Sequence, residues 1–508
     1  MNQSPGSAGR WAGGGAMAAL AFTSFLARLT LGVPTLPDLF ADPLLYVMPP
    51  TLFSAALDTL RLAAKPVLLA CVLLGQLAVG ALIGWFYAGS LAPKPPRLTF
   101  SSAIRPALLL AALGWLFTVL LIFPAVGAGS LGVLLSVGVA PTLASYLLAA
   151  LVFGLTLAWL YARLGRLELT EPNAGPLDRR SLLRLLGVAI TTVIGANIVL
   201  EVSEVVRGTS ALRAPARLPS PITPIDGFYV VAKDLFPVSV DPAHWGLNVV
   251  GDNGRSLHLD LDQLRARPAV ELVTTLTCIS NPIGGDLLGT ARWTGVRLAD
   301  LLHEVGVGSG ARDVVLSAAD NYADSIPIEL ALADDTLLVY LMDGQTLPAV
   351  HGFPLRAIVP GRYGIKNVKW LTRVEVIDHG FVGYWPSRGW TDQGIIQTES
   401  QIDVPADRST LPFGAVEVGG IAFAGVRGIQ KVELSVDGGQ SWLPTTLAPP
   451  TSPLTWTTWR IRWRPTGPGW YTLQVRATDG TGQVQPAVVT PPIPNGATGY
   501  HQIQVRIG

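Results

Sequence analysis

The order of apolar and polar residues divides this chain into two unlike parts. Up to about residue 205 the chain contains long apolar runs, whereas from Pro215 onward short apolar runs alternate with charged and turn-forming residues. A helix that crosses a bilayer needs about 20 consecutive apolar residues, and the first part supplies such runs. The pattern therefore predicts an all-α transmembrane domain over residues 1–205, followed by a water-soluble part.

Five apolar segments of the first part are predicted to be membrane-spanning helices. They are 11–33, 67–89, 106–127, 142–162 and 182–200. A further apolar segment, 43–60, contains a Pro-Pro pair and Asp58, so we interpret it as an interfacial or re-entrant helix.

The placement of basic residues predicts which side of the membrane each loop faces. Lys94, Arg97 and Arg105 make one loop basic, and five arginines between 163 and 184 make another basic. The loop 128–141 carries no charge. Because basic loops stay in the cytoplasm, the N-terminus is expected inside and the soluble part outside, in a multi-pass protein of the cell membrane.

Paired arginines precede the last predicted span. Arg179 and Arg180 are followed by Leu182, Leu183 and Arg184, an arrangement similar to a twin-arginine export signal, although such signals normally lie at an N-terminus. Two interpretations stay open: an export signal for a folded domain, or basic residues that simply follow the positive-inside rule.

The soluble part is predicted to contain a linker and two domains. Residues 206–224 form a linker rich in Pro, Arg and Ala, and 225–405 form an α+β domain with short strands and few helices. The helices are expected at 298–305 and 328–332, and the strands at 247–250, 270–276, 314–317, 337–341 and 355–359. Residues 406–508 contain alternating strands near 432–436, 459–463 and 471–475, which predict an all-β immunoglobulin-like sandwich.

Composition excludes several classes of function. Charged residues make up only 14% of the chain and its mean hydropathy is +0.42, which indicates membrane spans. Its net charge of +1 indicates no nucleic-acid-binding surface. All six histidines lie outside the predicted spans, so this chain cannot bind a haem between two histidines inside the membrane. The two cysteines, Cys71 and Cys278, lie in different parts and do not predict a disulfide.

Cys278 is the first candidate for chemistry. It follows a predicted strand and precedes a loop, Ile279 to Gly285, that contains Pro282 and two glycines. A thiolate in such a position can bind a soft metal ion. An isolated cysteine is more often a small buried apolar residue, so the spacing alone does not decide between the two interpretations.

Three separated motifs resemble the sulfite oxidase family of molybdopterin-dependent oxidoreductases, in the order found in that family. They are the Cys278-Ile-Ser-Asn281 loop with Ala291-Arg-Trp-Thr-Gly-Val296, the stretch His351-Gly-Phe-Pro-Leu-Arg356 through Trp370, and the segment Val432 to Trp442. The resemblance covers roughly residues 227–508. It implies a molybdenum–molybdopterin cofactor, with Cys278 as the metal ligand.

The resemblance also implies a set of site residues. Those expected to hold the pterin are Tyr229, Val230, Asn281, His351, Arg356, Lys366, Asn367, Val368 and Lys369. Arginine offers a planar fork for a phosphate, and lysine offers a point charge. Asp320 lies where the family has a residue near the metal, and Trp390 stands where the family has a tyrosine.

Departures from the family lie on the substrate side. Val231-Ala-Lys233-Asp replaces an Arg-Asn-His stretch, and Pro282-Ile283 replaces an arginine pair. Lys233 or Arg388 could supply replacement positive charge. The cofactor is therefore expected to be kept and the substrate changed.

We interpret the chain as a membrane-anchored enzyme that performs oxygen-atom transfer on a small extracytoplasmic substrate other than ordinary sulfite. The alternatives are a sulfoxide or N-oxide reductase, and a membrane protein with a non-catalytic ectodomain. No haem or iron–sulfur motif is present, so an external electron carrier is expected: a cytochrome, a quinone or a membrane partner. The other expected partners are membrane lipid and a second copy of the chain.

Overall fold

The computed structural model describes residues 5–40, 64–90, 100–126, 128–133, 137–170, 218–233, 238 and 240–508. The chain separates into two compact units, Met1–Val205 with Asp234–Phe236, and Val206–Lys233 with Pro237–Gly508. The predicted segments 43–60 and 182–200 and the paired arginines lie outside the described residues.

The described part of the first unit contains four long apolar helices. They are α1 (Pro5–Leu31), α2 (Ala64–Ser90), α3 (Phe100–Phe117) and α4 (Val139–Thr170), and α3 continues through a π-helical turn, Thr118–Ile122, into Phe123–Ala125. Each has a stretch long and apolar enough to cross a membrane. The structure thus confirms four of the five predicted segments as helices of that length.

Glycines bring α1 and α2 into close contact. Both helices carry a glycine pair spaced four residues apart, Gly9 with Gly13 and Gly80 with Gly84. A Cβ atom on Gly13 would collide with the carbonyl oxygen of Gly80, and one on Gly84 with that of Gly9. Helices in membranes associate through such small residues because the backbones can then approach closely.

The second unit begins with an α+β domain, which confirms the predicted class. Its strands are β1 (Leu247–Val250), β2 (Ser256–Leu259), β3 (Val270–Thr277), β4 (Leu288–Arg297), β5 (Asp313–Ala318), β6 (Ala323–Pro327), β7 (Leu337–Met342), β8 (Gln345–Thr346), β9 (Arg356–Ile358) and β10 (Leu371–Ile377). One sheet has the order β2-β1-β10-β5-β6. A second has the order β3-β4-β7-β8, with β9 paired to β7.

Three short helices of this domain are α5 (Leu261–Arg265), α6 (Leu298–Val305) and α7 (Ile328–Ala331). Helix α6 has the bounds expected from the sequence, because its apolar residues recur at helical spacing and bury one face, which carries Leu298, Leu301, Leu302 and Val305. It ends at Gly306, whose φ of 87° suits glycine.

The C-terminal part consists of two further sheets. Its strands are β11 (Glu399–Val404), β12 (Thr410–Leu411), β13 (Val416–Phe423), β14 (Ile429–Ser435), β15 (Leu443–Pro444), β16 (Thr446–Leu447), β17 (Thr457–Trp463), β18 (Gly469–Asp479) and β19 (His501–Ile507). The sheet orders are β11-β13-β17-β16 and β12-β19-β18-β14-β15. Val418 and Trp459 of the first sheet share a buried core with Leu434 and Val475 of the second. A β-rich two-sheet domain is confirmed.

Candidate active site

An open cavity in the second unit collects most of the residues singled out from the sequence. It holds about 820 Å³ of empty space, a volume that includes the open solvent at its mouth. The sequence-predicted residues on its wall are Tyr229, Cys278, Asp320, His351, Arg356, Asn367, Val368, Lys369 and Trp390. The fold therefore brings together residues that are up to 161 positions apart.

Cys278 directly follows β3 and places its thiol on the cavity wall. Its N–H donates to the carbonyl of Leu287 at 2.8 Å, its carbonyl accepts from the N–H of Asn281 at 3.0 Å, and its Sγ lies 2.9 Å from the hydroxyl oxygen of Ser280. Burial raises the pKa of the thiol. A bound metal would displace the proton, because the thiolate is the metal ligand.

Asn281 does not line the cavity but closes the loop that carries Cys278. Its Oδ1 accepts from the N–H of Leu287 at 3.0 Å, and its Nδ2 donates to Oε2 of Glu399 at 3.3 Å. Glu399 begins β11, so the C-terminal sheet contacts the cysteine loop through this bond.

The buried Glu399 carboxyl predicts a loss of stability as pH rises. Burial raises its pKa to about 7. A carboxyl whose pKa is raised in the folded state stabilises the fold below its unfolded pKa, near 4.5, and loses that contribution as pH rises through 7. The free energy of unfolding should therefore fall between pH 5 and 8. We expect Glu399→Gln to remove a part of that fall on the order of 3 kcal/mol.

Urea denaturation at several pH values measures this effect. Glu417→Gln is the matched control, because Glu417 is exposed on the neighbouring strand β13. The expectation is wrong if both variants show the same pH dependence as the unchanged chain.

Arg356 is a buried cation at the start of β9. Its Nη1 donates to the carbonyl of His351 at 3.1 Å and its Nη2 to that of Asn367 at 3.3 Å. Its Nε has no hydrogen-bond partner, and no carboxylate forms an ion pair with it among the residues that the structure describes. Burial lowers its pKa to about 10. A buried guanidinium with a free donor on a cavity wall fits the phosphate of a pterin cofactor.

His351 and Lys369 complete the polar side of the wall. Burial, and then the charges of Arg356 and Lys369, lower the pKa of His351 to about 4, so its imidazole is neutral near pH 7. The Lys369 ammonium donates to the carbonyls of Val231 at 2.9 Å and Val350 at 3.0 Å. Both side chains can therefore offer donors to a ring system or an anion.

The structure does not bring Lys366 to the cavity wall, in contrast to the sequence-based expectation that it holds the pterin. Its ammonium lies 2.7 Å from Oδ1 of Asp324 and 2.9 Å from the carbonyl oxygen of Ser325, with only 3% of the side chain exposed. The physical reason is the buried Asp324 carboxylate, which needs a cation and which sequence spacing could not reveal.

Two other predicted residues lie beside the cavity. Val230 is 41% exposed and is not among the lining residues. The guanidinium of Arg388 lies 3.6 Å from the centre of the Tyr384 ring and donates to the Tyr384 carbonyl at 2.6 Å. Lys233, the other candidate for replacement charge, does line the cavity.

Aromatic rings form the wall near Trp390. The Trp385 and Trp390 rings stack with centroids 4.5 Å apart and planes 20° apart, and both line the cavity. The indole N–H of Trp390 is buried without a hydrogen-bond partner among the described residues. A buried donor without a partner is unusual, so this N–H is a feature of the site that the described part of the protein does not itself satisfy.

Ser280, Tyr322 and Trp385 are lining residues that sequence reasoning missed. Ser280 and Tyr322 lie two residues after Cys278 and Asp320, so adjacency was an available signal. Oδ1 of Asp320 accepts from the N–H of Tyr322 at 3.0 Å, and Asn321 between them has a φ of 61°. This tight turn holds both side chains on the same wall.

Two family models match the second unit. Residues 235–385 match the oxidoreductase molybdopterin binding domain, and residues 393–507 match the Mo-co oxidoreductase dimerisation domain. The cavity lies mainly within the first of these regions. The chain thus carries the domain pair of a molybdopterin-binding oxidoreductase.

Curated relatives define the family. Human mitochondrial sulfite oxidase is 32% identical over 319 residues, which cover 53% of this chain and 58% of that protein. Chicken sulfite oxidase is 32% identical, with 53% and 69% covered. The uncharacterized oxidoreductase YuiH of Bacillus subtilis is 30% identical over 158 residues, 31% of this chain and 78% of that protein.

This chain belongs to the sulfite oxidase family of molybdenum oxidoreductases, whose cofactor is molybdenum–molybdopterin. It spans 58% of the length of the human relative.

Proposed function

We propose that this protein is a membrane-anchored oxidoreductase that transfers an oxygen atom to or from a small extracytoplasmic substrate. One observation carries the proposal: the Cys278 thiol and the buried Arg356 guanidinium, which has a free donor, line the same cavity. The first is a soft metal ligand and the second is an anion-binding group.

Molybdenum–molybdopterin supplies the two-electron oxygen-atom chemistry when it is bound. In this proposal Cys278 binds the metal. Arg356, Lys369 and the neutral His351 hold the pterin and its phosphate. Asp320 and Trp390 face the substrate.

The aromatic wall supports a substrate other than ordinary sulfite. A compact anion needs cations around it. Among the described lining residues, Lys233 is the cation not assigned to the pterin, and it stands beside the apolar rings of Trp385, Trp390 and Tyr322. A sulfoxide or N-oxide reductase is the second candidate, because such substrates combine an apolar body with one strong acceptor oxygen.

The remaining assignments rest on sequence patterning. We infer that the apolar helices form a transmembrane bundle within residues 1–205, that the linker is 206–224, and that the domains are 225–405 and 406–508, the latter immunoglobulin-like. Basic loops support a cytoplasmic N-terminus.

The match to a dimerisation domain supports a homodimer. An external cytochrome, quinone or membrane partner exchanges the electrons.

Metal and pterin analysis of the full-length chain, purified in detergent, tests the function. We expect about one molybdenum and one pterin per chain, followed by turnover in a screen of sulfite, sulfoxides and N-oxides with artificial electron carriers. A chain without molybdenum after expression with cofactor supply would instead be a non-catalytic ectodomain protein.

A further inference from the structure

A buried ion pair close to the cavity has no role in the binding just described. Asp324 and Lys366 lie 2.7 Å apart, with 1% and 3% of their side chains exposed. Such a pair adds little net stability compared with apolar residues of similar size, because both charges lose their hydration. Its place between the cavity and the protein surface points to another use.

The pair is one part of a longer series of hydrogen bonds. At the inner end, Tyr322 lines the cavity, and its hydroxyl lies 3.2 Å from Oδ2 of Asp324 and 2.7 Å from the carbonyl oxygen of Ile365. At the outer end, the Lys366 ammonium lies 3.3 Å from Oδ1 of Asp392, whose side chain is 66% exposed. The series therefore runs from the cavity wall to the solvent.

We propose that Tyr322, Asp324, Lys366 and Asp392 form a proton path between the cavity and the solvent. The inference rests on the proposed oxygen-atom transfer, because that reaction must exchange protons with water. A substrate and one water yield the oxygenated substrate, two protons and two electrons, and the external electron carrier takes the electrons. The reverse reaction takes up the same two protons.

Each group can pass a proton without a lasting change of charge. The Tyr322 hydroxyl accepts a proton and gives its own to Asp324. Lys366 gives a proton to Asp392 and accepts the one on Asp324, and Asp392 releases its proton to water. Afterwards both carboxylates are again charged and Lys366 is again an ammonium.

The charges that face the path suit this transfer. Burial raises the pKa of the Asp324 carboxyl, while the Lys366 ammonium acts in the opposite direction. Asp320 and Tyr384 are the other titratable groups that face Tyr322. A proton on Asp324 is thus less costly than on an exposed carboxylate, and Asp392 provides the contact with water.

Asp392→Asn tests the path at its exposed end and leaves the buried pair intact. The full-length loaded chain is mixed with reduced methyl viologen, and proton uptake is followed with a pH-indicator dye in weak buffer. We expect proton uptake to slow about tenfold or more in Asp392→Asn and to recover in Asp392→Glu. The solvent isotope effect on uptake should rise in the asparagine variant.

Asp378→Asn is the matched control, because Asp378 is an exposed carboxylate outside the path. Asp324→Asn, compared at equal molybdenum content, should slow uptake as Asp392→Asn does. Uptake at the unchanged rate in both variants overturns the path. A natural chain that holds no molybdenum, or is not reduced by the viologen, overturns the proposed function instead.

Discussion

Replacing Cys278 by serine is expected to abolish turnover, by more than about 1,000-fold per molybdenum atom. A serine hydroxyl is a hard donor that stays protonated near pH 7, so it cannot replace a soft thiolate at the metal. Because Arg356, His351 and Lys369 lie on other segments, some pterin should remain bound. Turnover with artificial electron carriers and metal content, measured on the same samples, give the result.

Cys71→Ser is the matched control for this substitution. Cys71 is the other free cysteine and lies in α2, within the first unit. It should leave both metal content and turnover unchanged. Full turnover in Cys278→Ser at unchanged molybdenum content would refute the role of Cys278 as metal ligand.

The second large effect is expected at Arg356. Arg356→Gln removes a buried positive charge that has no carboxylate partner among the described residues, and with it the charge-assisted bonds to the phosphate. Two such bonds contribute about 3–6 kcal/mol, so cofactor retention should fall at least about 100-fold. Pterin and molybdenum content after gel filtration measure the loss.

Arg373→Gln is a suitable control, since Arg373 pairs with Glu375 on the exposed side of β10. Folding is checked by thermal unfolding, because Arg356 also bonds the carbonyls of His351 and Asn367. An Arg356→Gln chain that keeps its fold and its full pterin content would contradict the phosphate-binding role.

Much of the fold could be predicted because it depends on local periodicity. The apolar run 67–89 predicted α2, and the helical spacing of apolar residues predicted α6 with the bounds that the structure has. Strand patterns likewise located β1, β14 and β17. The order of the strands within each sheet could not be predicted, since β1 pairs with β10 more than 100 residues later.

The candidate site was less completely predicted. Cys278, Arg356 and Lys369 could be found because short motifs carry their residue types at fixed spacing. Lys366 was misplaced within the same motif, because nothing near it in sequence shows that Asp324 approaches it. The Trp385–Trp390 stack also depends on ring orientation, which no spacing reveals.

The sequence by itself determined the two-part organisation, the family motifs and the thiol expected at the metal. These features depend on residue type and on periods of two or 3.6 residues. Only the tertiary structure decided that Arg356 remains available to an anion, whereas Lys366 is neutralised in the interior by Asp324. That outcome depends on burial and on the distance between side chains from separate segments, because charge interactions vary with both.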